Sequence, residues 1–377
     1  MKILCYRNVR VPSTTAHSLY GVRSCAFLSR VAPVCMIAAR GESVHSFENL
    51  YDLNLREYPD LSILTPPVRH KGLAGVWKRS LAKRWLRGNR RESPVVYLSQ
   101  RKTARYFARL KSRPGSDFVL VLECHDPDEG WADELRAADG IIYTSESLRA
   151  VMTGKFPCLG SRPSLVLHHK IENFPDVPPV TKFEKGPEEP FLLCYAGSIL
   201  PWKDLDTTLG AMTRLPDRFH LRIIGGSNKD PYRKHLVQES SELGLRSRVE
   251  FIPFLPMAAL RRRSQEADAM IVTLSSKERF RIPCKLLEYF SWTSPVIAAD
   301  LDCIREVIRH GENGLLFEPE SADSLVQQVR TLAAMSATQR YAMVAEGVET
   351  LKPFSVDHWL TRFFDWLNEV VMLRRAA

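Results

Sequence analysis

The sequence predicts an α/β protein of two doubly wound, Rossmann-like parallel-sheet domains, and three observations predict it. Short runs of Val, Ile, Leu and Phe recur along the chain with little polar alternation, as strands buried on both faces of a parallel sheet do. Helical stretches separate these runs, which gives the β–α repeat of doubly wound folds. A proline-rich segment, residues 173–190, carries Pro175, Pro178, Pro179, Pro187 and Pro190 and divides the repeats into two sets. The 377 residues also exceed one ordinary core and suit two domains.

The first domain, residues 1–175, opens on a strand over 2–6, a polar loop over 7–15 and a helix over 17–29. Further strands are expected at 34–39, 95–99, 118–123, 140–144 and 164–167. Residues 176–190 are expected to form an interdomain linker, since so many prolines suit neither a central strand nor a helix interior. The second domain, residues 191–354, is expected to hold strands at 191–195, 220–224, 248–252, 269–272, 295–298 and 314–317. Residues 355–377 form a helix whose apolar residues, from Trp359 to Val371, are too many for one narrow stripe. It is expected to pack across both domains.

Composition removes several classes. Hydrophobic residues are 45% and charged residues 25%, which excludes a mainly disordered chain. No window is long and apolar enough for a transmembrane helix, and the first ten residues lack the pattern of a secretory signal. Eight cysteines are scattered with no C-x-x-C pair, which argues against structural zinc and a redox dithiol. Thiols in apolar runs suit a reducing compartment, so a cytoplasmic location is expected.

The charge is uneven. Residues 1–180 hold 27 Lys and Arg against 17 Asp and Glu, whereas residues 181–377 hold 26 of each. Residues 71–91 alone carry eight basic residues and no acid. An anionic partner is expected for the first domain: a membrane surface, nucleic acid or a phosphorylated substrate. Within this run Leu73, Trp77, Leu81 and Trp85 recur every four residues among Lys78, Arg79, Lys83, Arg84 and Arg87. That is the pattern of a membrane-surface helix using Trp77, Lys78, Arg79, Lys83, Arg84 and Trp85, or of a packed helix with a solvated basic face. Nucleic acid is not expected as the partner, because no nucleic-acid motif accompanies the charge.

The second domain carries a constellation suited to a nucleotide. The strand at 191–195 ends in Gly197-Ser198 with Lys203 shortly after, and the strand at 220–224 ends in Gly225-Gly226. Glycines let backbone approach a ligand, and Lys203 can set a charge over a phosphate. Pro283 at a helix start leaves the amides of Lys285, Leu286 and Leu287 for an anion. Glu288 suits ribose hydroxyls, or serves only as an acid at a helix N-terminus.

Gly197-Ser198, Trp202-Lys203, Ile224-Gly225-Gly226, Pro283-x-Lys285-x-x-Glu288-Tyr289, Pro295-Val-Ile, Glu306 and Asn313-Gly-Leu-Leu-Phe317 resemble the family 4 retaining glycosyltransferases, in the subset with Pro-x-Lys-x-x-Glu-Tyr. The resemblance spans nearly all of residues 191–320. It implies the GT-B fold, two Rossmann-like domains facing a central cleft. It implies transfer of a sugar from a nucleotide-diphosphate donor to a saccharide or lipid-linked acceptor, with retention, as in surface polysaccharide or glycoconjugate synthesis. Lys203 and Lys285 are implied on the donor diphosphate, the amides of Leu286 and Leu287 on the phosphates, and Glu288 on the ribose. No bound metal or other cofactor is implied. Two departures stand out: Ser198 replaces an arginine common after the first glycine, and Phe280 stands where many members carry a second glutamate. Glu278, Lys277, Arg279 and Arg281 lie near that position but off register.

In the first domain the strand over 118–123 and the residues after it set the titratable Glu123, His125 and Asp126 at the carboxyl end, where α/β sheets bind ligands. Through the same resemblance His125 is implied beside the transferring sugar, as the catalytic candidate. His17, after the loop that replaces a Gly-Gly turn of relatives, is the acceptor-binding candidate, with a plain helix-start residue as the alternative. The expected enzyme works in the cytoplasm, at the inner face of the cell membrane if the basic helix binds lipid. Two other readings share the fold: a nucleotide-sugar epimerase, and a non-catalytic nucleotide-sugar or polyanion-binding protein.

Overall fold

A computed structural model describes residues 1–67, 71–172, 174–280 and 282–376. The chain divides into two compact units, residues 1–168 with 356–377, and residues 169–355.

The first unit is built on a seven-stranded sheet ordered β3-β2-β1-β4-β5-β6-β7. Its strands are β1 (Ile3–Val11), β2 (Val34–Arg40), β3 (Leu61–Leu64), β4 (Val95–Leu98), β5 (Val119–Cys124), β6 (Gly140–Tyr143) and β7 (Ser164–Val166). Every pairing is parallel. The central strands β4 and β6 are buried at every residue, which is why they read as unbroken apolar runs.

Two expectations need correction here. The first strand does not stop at Tyr6 but continues to Val11, with a register slip against β2 between Tyr6 and Arg10. Arg7 is therefore a strand residue, and it is buried. The edge strand β3 lay unseen among Pro59, Pro66 and Pro67, because a four-residue edge strand buries only alternate side chains.

The second unit carries a six-stranded parallel sheet ordered β10-β9-β8-β11-β12-β13. Its strands are β8 (Phe191–Ala196), β9 (Phe219–Ile224), β10 (Val249–Ile252), β11 (Ala269–Val272), β12 (Val296–Ala299) and β13 (Leu315–Phe317). The strand order reverses between β1 and β4 in one sheet and between β8 and β11 in the other. Crevices at such reversals are where open α/β sheets take ligands.

The domain boundaries also shift. Residues 176–190 are not a free linker, because they anchor on the second unit. Arg340 Nη1 donates to the Phe183 carbonyl (3.1 Å), Phe183 packs edge-on against Tyr341, and Lys185 Nζ bonds the Asp268 carboxylate at 2.8 Å. The prolines fix an extended path over that surface. The terminal helix Val356–Ala376 belongs to the first unit. There Trp359 Nε1 donates to the His168 carbonyl (3.1 Å), and Phe363 meets the Tyr97 ring at 5.5 Å. Trp366 lies so close to Gly140 of β6 that a Cβ there would sit 2.8 Å from its ring.

Candidate active site

In the second unit the predicted glycines crowd the carboxyl edge of the sheet at the β8/β11 reversal. Gly197 N donates to the Ile224 carbonyl at 2.9 Å, which brings the loop after β8 onto the loop after β9. Gly225 has φ +143°, and a Cβ there would lie 1.8 Å from the Gly197 carbonyl oxygen. Gly226 follows at φ +61°. Glycine is required at the first by space and favoured at both by conformation. The Tyr195 hydroxyl donates to the Ser198 carbonyl (2.7 Å) and fixes the turn. The Tyr289 hydroxyl donates to the Ala196 carbonyl and accepts from Ala196 N, both at 2.8 Å, tying the helix Cys284–Ser291 to the same edge.

Lys203 ends a short 3-10 turn, Pro201–Lys203, held across the reversal. Ser275 N donates to the Trp202 carbonyl (3.1 Å), and the Thr273 hydroxyl donates to the Lys203 carbonyl. Lys203 is half-buried, and its ammonium makes no hydrogen bond or ion pair among the described residues. Burial pushes its pKa down; the thiols of Cys284 and Cys303 and the Glu278 carboxylate oppose this only in part. A half-buried cation without an ion pair costs stability, so its retention points to an anion that arrives from outside.

Lys285 comes to the same edge, since a Cβ on Gly197 would lie 3.7 Å from its Cγ. Its Nζ bonds Glu288 Oε2 at 2.6 Å and lies 5.5 Å over the Trp292 ring. The lysine expected on phosphate and the glutamate expected on ribose thus hold each other. The expected amide donors need correction. Leu286 N already bonds the Pro283 carbonyl (3.0 Å), and Leu287 lies inside the helix ladder. The first two helical positions, Cys284 and Lys285, are those whose amides lack a helical acceptor. Both leucines are buried and serve the core. Glu278, Lys277 and Arg279 lie in and beside the 3-10 turn Ser276–Glu278. Arg281 lies outside the described residues.

In the first unit His125 sits just beyond the end of β5, at the ligand-binding edge, with its imidazole 29% exposed. Its Nε2 lies 3.4 Å from Glu123 Oε1, and the Tyr97 hydroxyl donates to Glu123 Oε2 at 2.5 Å. Burial would raise the Glu123 carboxyl, but attraction and hydrogen bonding from His125, with Arg7 and the Tyr97 hydroxyl, hold it well below the carboxylate range. Sequence reasoning missed Arg7 and Tyr97. It placed Glu123 with His125 and Asp126 at the strand's carboxyl end but gave it no role of its own. His17 lies in the first turn of the helix Ala16–Leu28 and is exposed. The loop before it is fixed by Tyr51, whose hydroxyl accepts from Ser13 N (3.0 Å) and bonds Ser18 Oγ (2.8 Å).

The basic segment forms the helix Lys71–Gly88, and its buried side differs from the expected one. Ala74, Lys78 and Ala82 face inward. Lys78 is therefore no surface residue: its Nζ donates to the Arg7 carbonyl (3.2 Å) and lies 5.0 Å over the Tyr6 ring, and burial lowers its pKa. Trp85 is half-buried. Arg79, Lys83 and Arg84 are exposed, as are Leu73, Val76 and Trp77. No described helix is long and apolar enough to cross a membrane.

The fold also gathers Asp206, His235 and Glu239, a set invisible in the linear sequence. His235 Nε2 bonds Asp206 Oδ1 at 2.9 Å, and the Tyr232 hydroxyl donates to Asp206 Oδ2. These bonds link the helices Leu205–Met212 and Pro231–Glu242.

Residues 179–347 match the family described as Glycosyl transferases group 1. An exopolysaccharide phosphotransferase of Streptomyces coelicolor is 32% identical over 147 residues, 38% of this chain and 15% of that protein. A D-inositol 3-phosphate glycosyltransferase of Nocardioides is 27% identical over 194 residues, 48% of this chain and 42% of the relative. The matched stretch thus spans less than half of either relative. Among solved structures, Anabaena HepE in complex with UDP-glucose is similar at TM-score 0.72 and 18% identity, covering 98% of this chain and all of that one. Sucrose-phosphate synthase of Thermosynechococcus elongatus is similar at TM-score 0.77 and 15% identity, with both chains fully covered. The chain has the GT-B fold, and its residues 179–347 match the glycosyl transferases group 1 family.

Proposed function

We propose that the protein is a family 4 retaining glycosyltransferase that moves a sugar from a nucleotide-diphosphate donor to a saccharide or lipid-linked acceptor. The observation that carries this reading is Lys203, a half-buried ammonium with no ion pair or hydrogen bond among the described residues, beside the glycine loops of the stretch that matches the group 1 family. The donor diphosphate supplies the missing charge, and Lys285 adds a second cation once donor binding redistributes its bond to Glu288. Two lysines at the diphosphate let the leaving group depart without a bound metal. In the reaction the bond from the anomeric carbon to the phosphate oxygen breaks. The acceptor hydroxyl adds on the same face, and its proton passes to the departing diphosphate. His125 sits beside the transferring sugar and His17 on the acceptor side. Surface polysaccharide or glycoconjugate synthesis is the process in which we place the enzyme. The relatives described as an exopolysaccharide phosphotransferase and as glycosyltransferases support this.

The test starts with melting-temperature shifts for UDP, GDP, ADP and CMP derivatives, since a ligand of the native state raises the melting temperature. Product analysis then follows with the matching nucleotide sugar. Transfer to an acceptor with the anomeric configuration kept supports the reading. Conversion of the sugar nucleotide without acceptor makes the protein an epimerase, and binding without release of sugar or diphosphate makes it a binding protein. Glu288 has its own arm. Glu288→Gln is expected to weaken ribonucleotides roughly 10-fold, as loss of a charged hydrogen bond does, and to leave 2′,3′-dideoxy analogues unchanged. Equal losses for both would reduce Glu288 to the partner of Lys285.

The helix Lys71–Gly88 supports a peripheral station on anionic membrane, because exposed Leu73, Val76 and Trp77 stand beside exposed Lys83 and Arg84. Apolar side chains insert while the cations meet lipid phosphates, at about 1 kcal/mol for each charge that reaches the surface. Wild type is expected to sediment with anionic but not zwitterionic vesicles, and less so as salt rises. The variant Trp77→Ser with Lys83→Gln and Arg84→Gln is expected to stay in solution with nucleotide binding intact. Lys78 stays unmutated in this test, being part of the fold. Wild type that ignores anionic vesicles at low salt would make the helix a packed element with a solvated face.

A further inference from the structure

The carboxyl edge of the first sheet holds a buried charge network drawn from three adjacent strands: Arg7 of β1, Tyr97 of β4 and Glu123 of β5. Arg7 lies where β1 slips against β2; its Nη1 donates to Ser99 Oγ and its guanidinium lies 5.3 Å over the Tyr97 ring. We propose that Glu123 is a positioning residue for His125: its carboxylate keeps the imidazole proton on Nε2, so that Nδ1 offers a lone pair to a sugar hydroxyl. This rests on the glycosyltransferase reading of the site and deepens it.

The two carboxylate oxygens divide the work. Oε2 accepts from the Tyr97 hydroxyl at 2.5 Å, and Oε1 faces His125 Nε2 at 3.4 Å. A ring nitrogen that faces an ionised oxygen carries the proton, because two lone pairs would repel. His125 Nδ1 has no partner among the described residues, and the ring is open enough for a ligand to reach it. Attraction and hydrogen bonding from His125, and after it Arg7 and the Tyr97 hydroxyl, keep Glu123 ionised despite its burial. A network built only to neutralise Arg7 would close on Arg7, yet Arg7 Nε is buried and has no acceptor. The carboxylate instead turns to the half-exposed histidine.

The experiment reads the tautomer of His125 in the unliganded full chain, by long-range proton–nitrogen correlation spectroscopy. The signal is assigned by its loss in His125→Asn. Wild type is expected to carry the neutral-ring proton on Nε2, and Glu123→Gln to shift population toward Nδ1–H. Glu123→Asp should restore part of the wild-type signal. With the donor identified, Glu123→Gln should lower kcat roughly 10- to 100-fold, as loss of an orienting partner does, with donor KM little changed. An unchanged tautomer in Glu123→Gln overturns the proposal. If that variant fails to fold, Tyr97→Phe takes its place; it loosens one holder of the carboxylate while keeping the ring, and again an unchanged tautomer overturns the proposal. A shifted tautomer with unimpaired turnover leaves the positioning standing and removes His125 from glycosyl transfer.

Discussion

Lys203→Met is expected to cost roughly 10- to 100-fold in affinity for nucleoside diphosphates while leaving the nucleoside alone nearly unaffected. A hydrogen bond to a charged group contributes about 1.5–3 kcal/mol, and the lost group faces only the phosphates. The unliganded variant should nevertheless melt higher than wild type, because the fold no longer holds a half-buried cation that makes no ion pair among the described residues. The sign of the pH dependence follows from burial. The folded-state pKa of Lys203 is depressed, so above it the native protein binds one proton fewer than the unfolded chain, whose lysines titrate near 10.4. The stability penalty is therefore full below the depressed pKa, fades as pH rises from it towards the unfolded-chain value, and is gone above that value. Diphosphate affinity takes the opposite course and falls over the same window, below the ordinary lysine range, as the ammonium loses its charge. Lys203→Met should lack both trends. Calorimetric titration with the diphosphate and the nucleoside from pH 7 upward checks this, and equal losses for both ligands would take Lys203 off the diphosphate.

The parallel sheets were legible because strands covered on both faces need apolar residues at every position. Central strands such as β4, β6, β11 and β12 are buried throughout and announced themselves. The edge strand β3, half exposed and flanked by prolines, did not. Nor did the far half of β1, whose Arg7 reads as a loop residue until its buried partners are known. The nucleotide loops were legible through glycine, whose positions follow from the close approach of backbones. Which amides at the helix start lack a helical acceptor was not, because two residues of shift in the first helical turn move that position from Leu286 and Leu287 to Cys284 and Lys285. The basic helix shows the same limit. Its period was visible, but its phase was set by Lys78, a cation that turns inward to a backbone carbonyl. Residues joined across strands, such as Tyr97 with Glu123, carry no local sign at all.

Gly225→Ala is expected to be the most damaging single-methyl change in the second unit. At φ +143° an L residue is strained, and the new Cβ would lie 1.8 Å from the Gly197 carbonyl oxygen and 2.9 Å from its carbon. Both are backbone atoms, so no rotamer relieves the clash. The loops after β8 and β9 would have to part, breaking the bond from Gly197 N to the Ile224 carbonyl. Clash, strain and the lost bond together place the cost on the order of 4 kcal/mol, among the larger effects single substitutions have. For a unit of this size that is a fall of about 8–16 °C in melting temperature. Gly244→Ala separates the causes. Gly244 also has positive φ, +72°, but an added Cβ meets nothing within 4 Å, so only the conformational cost of about 1–2 kcal/mol remains. Denaturant titration of the two variants gives the comparison directly. Any folded Gly225→Ala should also lose nucleotide binding if the proposed donor site holds, since the displaced loop lies on the edge that carries Lys203 and Lys285, whereas Gly244→Ala should keep it. Equal stabilities for the two variants would mean that the loops can part freely, and the close approach of Gly225 to Gly197 would no longer explain why glycine stands there.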